Sequence, residues 1–225
     1  MSDQDERDET RHSQASDAEL IADPNELASA EARNVLRQID EVATIVEHYV
    51  QSKRTFKLRT STVLHLHRFA LEGISSYAGL FRPAGIKIGG SKHQPVGAYL
   101  VPELIEEMCD YVNDRWLTSS PIHLAAYVLW RLNWIHPFTD GNGRTARACS
   151  YLVFCLRLGF PLYGPNSVPA QIAENKQPYY EALEAADRAL EEGKIDVSQL
   201  EQLLEKLLAR QLLDVLRTAT GPEES

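Results

Sequence analysis

Basic residues are in short supply in this chain. Lysine and arginine number 23 against 32 aspartates and glutamates, giving a formal net charge of −9 over 225 residues. Binding along a nucleic-acid backbone needs a basic face, so nucleic acid is not expected as a partner, although a small basic pocket stays open. Cysteine is scarce too: Cys109, Cys149 and Cys155 are odd in number, and two of them sit in apolar helical context. That excludes a disulfide framework and points to reduced, mostly buried thiols in a cytosolic protein. No apolar run reaches the roughly 18 residues of a spanning helix, so no membrane contact is expected. The N-terminus is acidic and lacks the apolar stretch of a signal peptide, which makes a cytoplasmic location the expectation. No internal repeat is visible. His65, His67, His93 and His123 show no metal-binding spacing and read as structural or surface residues. His93, just past a Gly-Gly pair and beside Lys92, is a candidate contact to a target or a phosphate.

What is present is ordinary in amount, with 44% hydrophobic and 24% charged residues, enough for one sizeable core. Residues 1–22 are polar, acidic and free of aromatics, and read as a disordered tail. A helical region follows over 23–60, with Asp23 as N-cap and Pro24 in the first helical position. A core segment over 61–197 then precedes a C-terminal helix and tail over 198–225. Apolar periodicity predicts helices over 61–72, 101–116, 121–135, 144–158, 174–192 and 198–217. The helix after Ser120-Pro121 is apolar on most sides and so belongs in the middle of a core. Gly159 stops the next one. The last helix is rich in leucine and makes a homodimer one expectation. Gly85-Ile86-Lys87-Ile88-Gly89-Gly90 alternates apolar and polar before a Gly-Gly turn, the strand signal of a short hairpin.

The chemistry concentrates in residues 134–147, where two apolar helices flank a short turn. His136 precedes Pro137 and therefore sits at or just past a helix end. Gly141 and Gly143 let the backbone turn sharply and bring amides close to an anion. The following helix adds its free N–H groups and positive dipole end. Arg144 and Arg147, three apart, can reach phosphates, Asn142 can donate to a bridging oxygen, and Asp140 is a hard oxygen ligand suited to Mg²⁺ shared with phosphates. His136 can accept a proton at neutral pH. Together these parts suit attack of a hydroxyl on a nucleotide phosphate.

The string His136-Pro137-Phe138-Thr139-Asp140-Gly141-Asn142-Gly143-Arg144-Thr145-Ala146-Arg147 resembles the signature of the Fic domain family in full. The resemblance runs over roughly residues 25–195, which makes 61–197 the expected Fic core. It implies an all-α helical bundle carrying a small β-hairpin flap. It also implies transfer of AMP from ATP, with Mg²⁺, to a Ser, Thr or Tyr hydroxyl of a target protein. By that resemblance His136 is the base, Phe138 the loop's core anchor, Asp140 the Mg²⁺ ligand and Gly141 to Gly143 the anion hole. Arg144 is a phosphate clamp and Arg147 orders the γ-phosphate. Ile86, Lys87, Ile88 and Gly89 resemble the flap beside the nucleotide, with an edge for a target strand. Tyr179, Tyr180 and Asp187 fall where the family lines its base pocket, and Asp187 departs from the usual Asn. The intact Gly143 and Arg144 resemble the AMP-transferring pattern, whereas other members transfer other phosphate-containing groups or remove AMP.

Many members also carry an inhibitory helix with a (S/T)xxxE(G/N) pattern whose Glu pairs with the second arginine. Glu31 is the candidate here, expected to face Arg147, although Leu27 stands where Ser or Thr belongs and Ala32 where Gly or Asn belongs. Two rival readings use the same residues. Arg131 and His136 match the short R-x(4–6)-H pattern of helical HEPN-type ribonucleases. A nucleotide-sensing interaction module that transfers nothing is the other.

Overall fold

The structure is a computed structural model that describes residues 20–84, 93–164 and 166–220, the side chains of the last two excepted. Eight α-helices are found among these residues: α1 (Pro24–Ser52), α2 (Thr60–Leu71), α3 (Val101–Asp114), α4 (Pro121–Ile135), α5 (Asn142–Leu158), α6 (Val168–Glu174), α7 (Gln177–Glu191) and α8 (Ser198–Thr220). The all-α class that the resemblance implies is therefore correct. The expected hairpin at 85–90 lies outside the described residues. The helix starts follow their cap chemistry. Asp23 accepts from the amides of Asn25 and Glu26, each at 2.9 Å, and Ser120 accepts from His123 N at 3.0 Å, each with a proline in the first turn. Gly159, at φ 83°, ends α5 as its position predicts. Helix α6 was missed, although Ser167 and Pro169 repeat the same cap-plus-proline signal.

Helix α4 is the hub, with Leu124, Ala125, Ala126, Val128, Leu129, Trp130 and Leu132 all buried. Its apolar girth leaves it stable only when neighbours cover it on most sides. Helix α5 packs along it, and α3, α7 and α8 close the remaining flanks. Small residues at the α4–α5 seam allow close approach, and Ser150 Oγ donates to Ala125 O across it at 2.8 Å. Outside this core, the first half of α1 docks on α2 through polar side chains. Asn34 Nδ2 donates to Glu72 O at 2.9 Å and Gln38 Nε2 to Leu66 O at 2.8 Å. These bonds fix the rotation of α1 and so bring Glu31 toward the N-terminus of α5. All three cysteines are buried free thiols. Burial pushes Cys109 up to about 12 and Cys155 to about 11, so neither offers a thiolate near neutrality.

Candidate active site

The turn between α4 and α5 is built by its own residues. Helix α4 cannot continue into Pro137, and His136 leaves the helix in the left-handed conformation, φ 52°, ψ 59°. Gly141 takes a second left-handed turn at φ 74° and opens α5. Between them Asn142 folds back on Phe138, accepting from its amide and donating to its carbonyl, both at 2.9 Å. Both ends of the Asn142 amide group thus hold the loop's shape, where the sequence suggested a donor to a bridging oxygen. Phe138 is fully buried and stacks on His67 at 3.6 Å between centroids, 6° from parallel. Its expected role as anchor of the loop fits this burial.

His136 is arranged as a base. Its Nδ1 lies 3.2 Å from Asn133 O. A carbonyl only accepts, so Nδ1 carries the proton and Nε2 keeps a bare lone pair. Nε2 is buried and has no hydrogen-bond partner among the described residues. Burial lowers its pKa from the usual 6.5 to about 4. His93 and Arg82 push the same way, and the Asn133 bond and Asp140 push back. The ring is neutral at physiological pH.

Two residues distant in sequence, His67 and Arg82, hold this loop from behind. His67, expected to be structural or at the surface, is fully buried. Its Nε2 donates to Asp140 O at 3.0 Å, and its Nδ1 accepts from Gly79 N at 3.0 Å. Burial lowers it to about 4, so it stays neutral with one donor and one acceptor face. Arg82, also buried, donates from Nε to His136 O at 2.7 Å and from its backbone amide to Pro137 O at 2.9 Å. Apart from the motif itself, a lone His and a lone Arg carry no local signal, so only the fold places them here. His93, the candidate for a target or phosphate contact, donates from Nε2 to Trp134 O at 2.7 Å.

The charged groups lie at the start of α5. Arg144 donates to Asp140 Oδ2 at 2.6 Å and to Glu31 Oε1 at 2.9 Å. Glu31 was expected opposite Arg147. It meets Arg144 instead, because the polar seam of α1 on α2 sets its height along α5. Arg147 makes no hydrogen bond or ion pair among the described residues, and its charge lies near Tyr179 and Tyr180 of α7. Gly143 leaves the room Arg147 occupies, since a Cβ there would stand 3.2 Å from its terminal nitrogen. The first-turn amides of Gly143 and Arg144 find no acceptor among the described residues, which suits an anion.

No group of three or more His, Cys, Asp or Glu among the described residues is placed to hold a metal by itself. Asp140 does fit a shared Mg²⁺. Its carboxylate is 44% exposed and Arg144 engages one oxygen, which leaves the other for an ion completed by phosphates and water. Tyr179 is buried and Asp187 accepts from the buried Trp130 indole at 2.8 Å, tying α7 to α4. Ile86, Lys87, Ile88 and Gly89 lie outside the described residues. Arg131 stacks over Trp134 at 4.4 Å and pairs with Glu107 at 3.6 Å. Neither contact involves His136, so the ribonuclease pattern gains nothing.

The chain is also similar to known proteins in sequence and in fold. Residues 57–154 match the model of the Fic/DOC family. A Caenorhabditis briggsae relative, protein adenylyltransferase fic-1, is 35% identical over 138 residues, 60% of this chain and 25% of its own. A Drosophila willistoni relative, protein adenylyltransferase Fic, is 29% identical over 180 residues, 72% of this chain and 34% of its own. The chain thus spans a quarter to a third of the length of these relatives. The solved structure of residues 134–508 of Caenorhabditis elegans Fic-1 superposes with a TM-score of 0.62 at 26% identity, covering 88% of this chain and 56% of that one.

Proposed function

We propose that this chain, whose residues 57–154 match the Fic/DOC family model, moves AMP from ATP to a hydroxyl group of a target protein. The observation that carries this reading is the buried Nε2 of His136, without a hydrogen-bond partner among the described residues and held bare by the proton on Nδ1. In the proposed step the target hydroxyl oxygen attacks the α-phosphorus and its proton passes to His136 Nε2. The bond from the α-phosphorus to the bridging oxygen breaks, and pyrophosphate leaves. Gly143 and Arg144 offer amides to the phosphate oxygens, and the Arg144 and Arg147 guanidiniums offset their charge. A Mg²⁺ bound between Asp140 and the phosphates would neutralise charge on the departing pyrophosphate.

The same geometry supports a resting state that is held off. With Glu31 and Asp140 both on Arg144, the phosphate clamp is occupied by two carboxylates. Productive ATP binding requires Arg144 to exchange Glu31 for phosphate. Mass spectrometry of the protein after incubation with Mg·ATP and a cell extract tests the reading. A mass increase of one AMP unit on a protein, absent with His136→Ala, is expected. Binding of ATP without any adduct would leave a nucleotide-sensing module instead.

A further inference from the structure

Arg82 is a buried cation whose guanidinium meets, among the described residues, carbonyl oxygens alone. Nε donates to His136 O at 2.7 Å, one terminal nitrogen to Ala84 O at 3.0 Å and the other to Val96 O. No carboxylate pairs with it among the described residues. A charge left so is costly unless dipoles surround it, and here they do. His136 O is the terminal carbonyl of α4, where the helix dipole is negative, so Arg82 caps that helix end.

We propose that Arg82 is a positioning residue that aims the His136 ring. His136 is a non-glycine residue in the left-handed region, a conformation that persists only where its surroundings over-determine it. Arg82 supplies that determination from both sides. Its Nε fixes the His136 carbonyl, and its own amide fixes the next carbonyl, Pro137 O, at 2.9 Å. Among the described residues the ring itself is held by a single bond, from Nδ1 to Asn133 O at 3.2 Å. That bond forms only if the backbone of His136 turns back over the last turn of α4. Loss of the Arg82 fork lets the turn relax, and the ring loses both its direction and its fixed tautomer. The other two bonds of the fork bring Ala84 and Val96 into register with the same loop, which a point-like ammonium cannot do.

The test compares wild type, Arg82→Lys and Arg82→Gln, with folding checked by circular dichroism and thermal unfolding. Nitrogen NMR of histidine-labelled protein reads the His136 tautomer, assigned by the loss of its signals in His136→Ala. The wild type should show one neutral form protonated at Nδ1, and folded Arg82→Lys a mixture of the two. The kinetic half rests on the proposed AMP transfer. There kcat should fall about 10- to 100-fold, with the KM for ATP changed by no more than about twofold. Unchanged His136 signals and kcat in a folded variant would overturn the proposal, as would a raised KM with kcat kept. If both variants fail to fold, Arg82 is a folding determinant and the positioning role is rejected. If the wild type transfers nothing, the AMP-transfer reading fails while the tautomer comparison still decides the case for Arg82.

Discussion

Glu31 reaches Arg144 at 2.9 Å across 113 positions of sequence, from the first turns of α1 to the first turn of α5. Arg144 is largely buried whereas Glu31 is 43% exposed, so the carboxylate is the partner free to leave. Glu31→Gly should therefore raise the rate of AMP transfer and lower the KM for ATP. A gain of about 10-fold or more is expected, the scale of a charge pair removed from competition with phosphate. The lost half-exposed pair should cost about 0–1 kcal/mol, and a glycine inside α1 about 1 kcal/mol more. Steady-state kinetics with labelled ATP checks it, and an unchanged rate would show that Glu31 does not restrain the site.

The two buried histidines predict an acid-sensitive fold. His67 and His136 are both lowered to about 4 by burial, from a usual value of 6.5. Between those values the unfolded chain takes up protons that the folded one refuses. Their contribution is thus complete above about pH 6.5 and is lost as pH falls toward 4, on the order of 1–3 kcal/mol for each histidine. Urea unfolding at pH 7 and pH 4.5 measures it, and His67→Phe should remove part of the pH dependence. The transfer rate should hold level well below pH 6.5, because His136 stays neutral there. An acid limb centred near 6.5 would contradict the burial of its ring.

Gly141 and Gly159 form a controlled pair. Both sit at positive φ, 74° and 83°, but a Cβ on Gly141 would stand 3.2 Å from Leu71 Cγ and 3.4 Å from His67 Cδ2, whereas at Gly159 nothing lies within 4 Å. Gly159→Ala should cost the backbone term alone, about 1–2 kcal/mol. Gly141→Ala adds crowding of about 1–3 kcal/mol, and it presses on the His67 ring that holds Asp140. Thermal unfolding of both variants, with transfer rates, separates the two. Equal stability losses would mean that Leu71 and His67 yield without strain.

How much of this was legible in the sequence depended on contiguity. His136, Phe138, Asp140, Gly141 and Arg144 lie in one string between two apolar helices, so local rules reached the site directly. Glu31 was legible as a candidate, but its partner was not. The height of α1 on α5 is set by Asn34 and Gln38 bonding to backbone carbonyls of α2, and periodicity is silent on such bonds. Arg82 was invisible for a related reason, whereas His67 lay on the apolar side of its helix and only its partner Asp140 was hidden. A polar residue in mixed sequence reads as surface until the fold buries it against carbonyls. Helix α6 is a different matter, since Ser167 and Pro169 carried a signal already used twice elsewhere in the chain.

The central claim is that His136 activates a hydroxyl for attack on the α-phosphate. ATP labelled at the α- or the γ-phosphate, given to wild type, His136→Ala and Glu31→Gly, tests it most directly. Protein-bound label from the α position alone is expected, strongest with Glu31→Gly and absent with His136→Ala. Label from the γ position alone, or α label that persists without the His136 imidazole, would contradict it.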